Sequence, residues 1–438
     1  MSTESIDFQI PVSRRASFNT HEPNTRNLQP VNYGSIKVLL LEGISDSAVS
    51  IVKNAGYQVE SISKGLSESE LIEKIRDVHA IGIRSKTNLT KKVLENAEKL
   101  ITIGCFCIGT NQVDLEFAAS RGISVFNSPF SNSRSVAELV IGEIIMLSRQ
   151  LGDRSKEMSE GVWNKMSNNC REIRGKTLGI IGYGHIGTQL SVIAESLGMR
   201  VVWYDVLPVM PLGMSRSMNT LEEVLSRSDF VTLHVPETSE TINMISETQI
   251  NQMKKGAYLI NASRGTIVDI PALAAALRSG HLSGAAVDVF PVEPFKNGKY
   301  FESELIGCPN VILTPHIGGS TEEAQKMIGV EVSNAIVSFI NKGTSLNAVN
   351  FPECDLKSIS ITDKTTLRIV NVHNNVPGVL QQINYILSPF NVNKQVSDSR
   401  GDIAYFMADI TLHNTHEIND IYAKISNINE NIITRVLY

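Results

Sequence analysis

Moving a hydride on or off a carbon that bears a hydroxyl needs a proton acceptor, a group to orient that acceptor, and a cation for the substrate's carboxylate. Three strings in this 438-residue chain carry side chains of those types: Asn261-Ala-Ser-Arg264-Gly-Thr, Asp288-Val-Phe-Pro-Val-Glu293-Pro and Thr314-Pro-His316-Ile-Gly-Gly-Ser. Each follows an apolar run that reads as a parallel strand, and ligands gather at the carboxyl ends of such strands. Histidine titrates near neutral pH, so His316 is the candidate base. Glu293 can receive its second ring N–H and stabilise its charged form. Arg264 can grip a carboxylate with its fork of donors. Taken singly, a histidine is more often structural and an arginine more often a solvated surface group, and spacing alone leaves both readings open.

A fourth string names the redox partner. Gly182-Tyr-Gly184-His-Ile-Gly187 follows a strand-like run and opens a helix-like one, and Asp205 ends the next strand. That context turns GxGxxG into a dinucleotide fingerprint. Gly182 permits the tight turn, Gly184 the approach of a pyrophosphate, and Gly187 close helix–strand packing. The helix start offers free N–H groups to phosphate. Asp205 suits ribose hydroxyls and repels a 2′-phosphate, so the expected cofactor is NAD.

The elements that must hold these residues alternate. Strand-like runs at 36–41, 58–62, 80–83, 100–104 and 124–126 are separated by helical stretches, which predicts parallel βαβ units. Asn127-Ser128-Pro129 breaks the run, and Ser135 with Glu138 reads as a capping box ahead of a helix over 139–147. Runs at 177–181, 200–204, 230–234, 257–261, 284–290 and 311–314 predict a second, doubly wound sheet. The order of elements after 366 is βαββαβ, a ferredoxin-like layout. The expected division is a disordered tail (1–34), one domain from 35–128 with 317–342, a nucleotide domain (129–316), a linker (343–365) and a C-terminal domain (366–438).

Composition excludes several alternatives. A net charge of -5 gives no global pull toward nucleic acid or an acidic membrane surface, and no apolar run reaches membrane-spanning length. Cys105, Cys107, Cys170, Cys308 and Cys354 lack CxxC spacing, so neither a disulfide framework nor a metal site is expected, and the cytoplasm is the default compartment. The polar N-terminal stretch mixes Arg14, Arg15 and Arg26 with Glu4, Asp7 and Glu22, unlike a transit peptide. Arg14-Arg15-Ala16-Ser17 has the form of a kinase site, but such short patterns mostly mean nothing.

The motifs together resemble one family. The strings 180–188, 261–266, 287–291 and 313–321, with 104–114 and 129–138, are similar to those of the D-2-hydroxyacid dehydrogenases, from residue 36 to the C-terminus. The resemblance implies a Rossmann-type NAD domain, a flavodoxin-like substrate domain, and Arg264, Glu293 and His316 as the catalytic set. It implies NAD contacts at Tyr183, His185, Ile186, His234, Pro236, Ala262, Arg264, Asp288, His316, Gly318 and Gly319. Substrate contacts are implied at Arg84, Ser85, Lys86, Asn132, Lys165 and Gln325. Two sets of cations suit a phosphorylated hydroxy acid, and within the family the resemblance implies the branch that acts on D-3-phosphoglycerate. A 2-hydroxyglutarate or other 2-hydroxyacid dehydrogenase, and a non-enzymatic NAD-sensing corepressor, are the rival readings. The C-terminal unit resembles an ACT domain through His373-Asn-Asn375-Val-Pro377-Gly378-Val-Leu, which implies L-serine as effector at His373, Asn375 and Asn393 and a homo-oligomer, a tetramer. Lys394 departs from the usual apolar residue there.

Overall fold

Short β-branched runs bounded by glycine become buried parallel strands wherever both faces are covered, because no residue then has to face water. That is the state of the N-terminal sheet, apart from its exposed edge strand at Gln58–Ser61, in the computed structural model, which describes residues 25–31, 34–294, 298–299 and 301–438. Strands β1 (Lys37–Leu40), β2 (Gln58–Ser61), β3 (Ala80–Ile83), β4 (Thr102–Cys105) and β5 (Ser124–Phe126) pair in parallel in the order β2-β1-β3-β4-β5. This is the flavodoxin-like order. Leu71, Ile75 and Val93 pack on one face, and Val52, Val332 and Ile336 on the other. The chain divides into two compact units: residues up to Pro129 with Ile328–Tyr438, and Phe130–Met327.

The second unit is built on seven parallel strands. They are β6 (Thr177–Ile181), β7 (Arg200–Tyr204), β8 (Arg216–Ser217), β9 (Phe230–Leu233), β10 (Ala257–Asn261), β11 (Leu282–Val287) and β12 (Val311–Leu313), in the order β12-β11-β10-β9-β6-β7-β8. The two-residue edge strand β8 has no sequence signal. The helix Ser133–Ser148 lies on this sheet and starts earlier than the capping-box reading placed it. Its N-cap is Asn132, Ser135 Oγ shares a hydrogen bond with Thr321 Oγ1 (2.8 Å), and Glu138 accepts from Arg134 Nε (2.6 Å). Ser135 and Glu138 therefore do not form a capping box.

The first unit also carries an antiparallel sheet: β13 (Thr366–Asn374), β14 (Asn391–Arg400), β15 (Ile403–Thr411) and β16 (Asn431–Leu437), ordered β14-β15-β13-β16. The helices Val379–Leu387 and Glu417–Ser426 cover one face through Ile383, Ile421 and Phe406. The other face packs Val370, Tyr405 and Met407 against Phe126, Phe339 and Phe351 of the same unit. The stretch 343–365 is thus not a free spacer, since Ser345, Phe351 and Cys354 are buried. Two buried arginines fasten this junction. Arg368 pairs with Asp409 (2.7 Å) and donates to Lys342 O and Lys357 O. Arg435 donates to Phe339 O, and Tyr405 Oη donates to Gly343 O. The last carbonyls of the helix Glu322–Lys342 take both cations, which suits the negative end of a helix. Of the tail read as disordered, residues 29–31 pair with the end of β16 and Thr25 and Arg26 with Ser360 and Ile359, while residues 1–24, with Arg14-Arg15-Ala16-Ser17, and 32–33 lie outside the described residues.

Candidate active site

The carboxyl ends of β10, β11 and β12 present the three strings. After β10, Asn261 Oδ1 accepts from Ser263 N (3.1 Å) and Asn261 Nδ2 donates to Arg264 O (2.9 Å), which fixes the turn that carries Arg264. Gly265 lies against the next string, where an added Cβ would stand 1.9 Å from Phe290 C. No other residue fits there.

After β11, Asp288 is 1 % exposed and holds the histidine loop. Its Oδ1 accepts from Thr314 Oγ1 (2.6 Å) and Ile317 N (2.8 Å), and its Oδ2 from Gly318 N (2.8 Å). His316 N donates to Asp288 O (2.8 Å). The histidine backbone sits at φ 53°, a left-handed conformation that costs energy for a side-chain-bearing residue and persists because four hydrogen bonds over-determine it. Asp288, expected among the cofactor contacts, thus also fixes the loop that carries His316.

His316 Nδ1–H donates to Glu293 Oε2 (2.8 Å), with Oε1 at 3.1 Å, and Oε1 also accepts from Phe290 N. A carboxylate only accepts, so a ring proton sits on Nδ1, and in the neutral imidazole the lone pair is then on Nε2. His316 lines a cavity of 270 Å³ with Phe290, Glu293, Phe301 and Thr314.

The dinucleotide turn meets the demands of the cofactor. Gly182 has φ +92°, and a Cβ there would stand 2.4 Å from His234 O; one at Gly187 would stand 2.4 Å from Gly182 O. Gly184 opens onto free space and caps the helix His185–Ser196 without any side-chain bond, so the first N–H groups face outward. Asp205 accepts from Tyr183 N (2.7 Å) and Leu207 N (2.9 Å). Its charge is thereby held at the end of β7. The Tyr183 side chain is fully buried, stacks on Trp203 (centroids 4.2 Å apart) and donates to Ser191 Oγ. His185, Ile186, Ala262 and Gly319 lie on the rim of the same sheet end, Pro236 just beyond β9. His234 shares a 3.0 Å bond with Thr232 Oγ1, and burial pushes its pKa down to about 3, so it stays neutral.

Of the expected substrate residues, three lie in this unit. Asn132 is buried with Oδ1 unpartnered, Gln325 is half-buried in the helix Glu322–Lys342, and Lys165 is exposed after Trp163. The other three sit on a loop after β3 in the first unit. Glu42 accepts from Arg84 N (3.1 Å), Lys86 N (3.0 Å) and Thr87 N (2.8 Å), and Gln112 Nε2 donates to Arg84 O (2.7 Å). Three backbone donors on one carboxylate make the loop carrying Arg84, Ser85 and Lys86 rigid. Sequence reasoning took Glu42 only as a strand end. It also missed Glu143, which lies on the core-facing stripe Val136, Val140, Glu143, Leu147 of an otherwise apolar helix. Both its oxygens are buried without partner among the described residues. Burial, with Asp288 nearby, pushes its pKa up to about 8.

In the antiparallel sheet, His373 is buried and its Nδ1 donates to Asn371 Oδ1 (2.8 Å). Asn375 Nδ2 donates to Gly401 O (3.1 Å). Asn393 bonds Thr411 Oγ1 (3.0 Å) at a bulge between Val392 and Lys394, whereas His373 pairs with Ala404. One chain therefore holds Asn393 at the opposite end of the sheet from His373 and Asn375.

A Rossmann sheet whose strand ends carry a carboxylate-oriented histidine and a fixed arginine defines a nicotinamide-dependent dehydrogenase acting on a carbon–oxygen bond. The profile described as "D-isomer specific 2-hydroxyacid dehydrogenase, NAD binding domain" matches residues 141–318. "D-3-phosphoglycerate dehydrogenase 2" of Saccharomyces cerevisiae is 57% identical over 98% of this chain and 93% of its own length. "D-3-phosphoglycerate dehydrogenase" of Escherichia coli K12 is 51% identical over 86% and 91%. Among solved structures, D-lactate dehydrogenase with NAD+ from Lactobacillus jensenii aligns with TM-score 0.61 at 28% identity over 69% of this chain and 97% of that one. The chain belongs to the D-isomer specific 2-hydroxyacid dehydrogenases and is an NAD-dependent oxidoreductase. No helix among the described residues is long and apolar enough to cross a membrane.

Proposed function

We propose that the chain oxidises D-3-phosphoglycerate at C2 to 3-phosphohydroxypyruvate, the first step of serine synthesis from a phosphorylated precursor. The His316–Glu293 pair is the observation that carries this reading, in a chain whose relatives of 49–59% identity bear the name D-3-phosphoglycerate dehydrogenase. Bound NAD supplies the hydride acceptor. His316 Nε2 takes the hydroxyl proton. Glu293 holds the other ring N–H and stabilises the imidazolium that results. Arg264 takes the substrate carboxylate, and the phosphate end falls to Arg84, Ser85 and Lys86 with Asn132, Lys165 and Gln325. The functional division follows the roles: 35–128 with 317–342 for substrate, 129–316 for NAD, 366–438 for regulation.

L-serine is the proposed effector, held by His373 and Asn375 of one copy and Asn393 of another. Supporting this, β14 is an open edge, exposed at all but one position. Antiparallel pairing of two β14 strands about a two-fold axis would set the start of one, with Asn393, against the end of the other, where Gly401 meets Asn375. A homotetramer in the cytoplasm fits this pairing and the five free cysteines.

A 2-hydroxyglutarate dehydrogenase is the second reading, since a distal carboxylate suits the same cations as a phosphate. Steady-state rates with NAD on D-3-phosphoglycerate, D-2-hydroxyglutarate, D-lactate and glycolate decide. The expected result is the highest kcat/KM on phosphoglycerate. Preference for 2-hydroxyglutarate overturns the substrate assignment, and absence of turnover on all four favours a NAD-sensing corepressor.

A further inference from the structure

The antiparallel sheet has two edges, β14 and β16, and the chain treats them differently. Residues 29–31 run antiparallel along the C-terminal end of β16, while Arg26 N donates to Ile359 O (2.8 Å). Gln29 N donates to Tyr438 O (3.2 Å), Tyr438 N donates to Gln29 O (3.1 Å), and Val31 N donates to Val436 O (2.9 Å). A bridge pairs Pro30 with Leu437, and another pairs Thr25 with Ser360. Leu28 is 4% exposed and enters the core shared by Phe351, Tyr405 and Leu437. Arg26 lies over the Tyr438 ring at 4.1 Å and donates to Asp363 O (3.2 Å) and Thr366 O (3.0 Å). A buried leucine, a stacked guanidinium and three ladder bonds hold this segment against the end of the four-stranded sheet.

The residue between the two ladder positions is a proline. Gln29 and Val31 turn their N–H groups inward to β16, so position 30 is the one whose donor would face outward, and Pro30 has none. An exposed strand edge recruits other chains through its free donors and acceptors, and proline at the edge blunts that recruitment. The outer side of residues 25–31 is therefore a poor template, while β14 offers an open ladder at the far side of the same sheet.

We propose that residues 25–31 form a clasp that closes the C-terminal end of the β16 edge to other chains, so that a second copy of this chain pairs with the sheet through β14. Neither the substrate assignment nor serine binding is needed for this. The test uses the full chain with Leu28→Asp, which sets a charge in the apolar contact that holds the clasp, and with the milder Arg26→Ala. Turnover close to that of the unaltered chain identifies preparations whose catalytic units remain folded. Hydrogen exchange at the Tyr438 amide reports release of the clasp, and light scattering against protein concentration reports assembly. The expected result is Tyr438 exchange faster by about tenfold or more, with concentration-dependent species larger than those of the unaltered chain. A synthetic peptide of residues 25–31 added in excess is expected to reverse both. Released variants whose size distribution equals that of the unaltered chain would overturn the proposal, as would enlarged species that the peptide leaves unchanged.

Discussion

His316, Glu293 and Arg264 are single residues whose chemistry is legible from type, yet their competence comes from neighbours. The ring of His316 is oriented by Glu293, and its backbone by Asp288. His316→Ala is expected to lower kcat roughly 10²–10⁴-fold, the usual worth of general acid–base help, with NAD affinity by calorimetry nearly unchanged. Near-normal kcat in that variant would remove the histidine from the mechanism. Glu143 gives a prediction of another kind. Its folded pKa of about 8 stands above the 4.5 of a free carboxyl, so the native chain keeps a proton that the unfolded chain loses. Stability therefore falls as pH rises from about 4.5 to about 8, by at most about 1.4 kcal/mol per pH unit, and levels off above. Glu143→Gln keeps the shape and removes the titration. Denaturant midpoints across that range are expected to be flatter for the variant; identical slopes would show that Glu143 does not titrate there.

At the scale of elements, parallel strands bring distant strings together at one rim, and short connections hold them in register. The Arg264 turn reaches Phe290 only because Gly265 has no side chain: a Cβ would meet Phe290 C and O at 1.9 and 2.2 Å, and neither is a flexible group. Gly265→Ala must shift the loop that carries Arg264. A displacement near 1 Å costs about 10²-fold in catalysis, so kcat/KM is expected to fall by that order while Tm changes little. An unchanged kcat/KM would mean that the turn tolerates rearrangement. Most strands were readable beforehand. Thr177–Ile181, Arg200–Tyr204 and Ala257–Asn261 fall where periodicity placed them. The edge strand β8 and the early start of the helix Ser133–Ser148 were not, since a two-residue strand carries no period and the cap is an asparagine packed beside Gly319.

For the whole molecule, the antiparallel sheet is not an appended module. Arg368, Arg435 and Tyr405 tie it to the helix Glu322–Lys342 and its exit, and Phe351 and Phe339 pack beneath it. Removing 366–438 would strip that core, so truncation is expected to lower Tm as well as regulation. Asn375→Ala is the cleaner probe. It is expected to raise the L-serine concentration for half-inhibition about tenfold, within the usual range of coupling between sites, with kcat unchanged. Inhibition curves that superimpose with those of the unaltered chain would exclude Asn375 from the effector site.

The sequence by itself determined the dinucleotide turn, the strands of the three sheets apart from β8, and the βαββαβ order, because each is written in short-range spacing: glycines within one turn and an apolar period along one strand. Only tertiary structure decided that Glu42 clamps the loop at 84–87, that Asp288 holds the His316 loop, that Glu143 is buried, that residues 29–31 pair with the end of the last strand, and that Asn393 lies at the far end from His373. Each of these joins residues distant in sequence, and their pairing depends on which surfaces meet when the sheets pack, which no local period records.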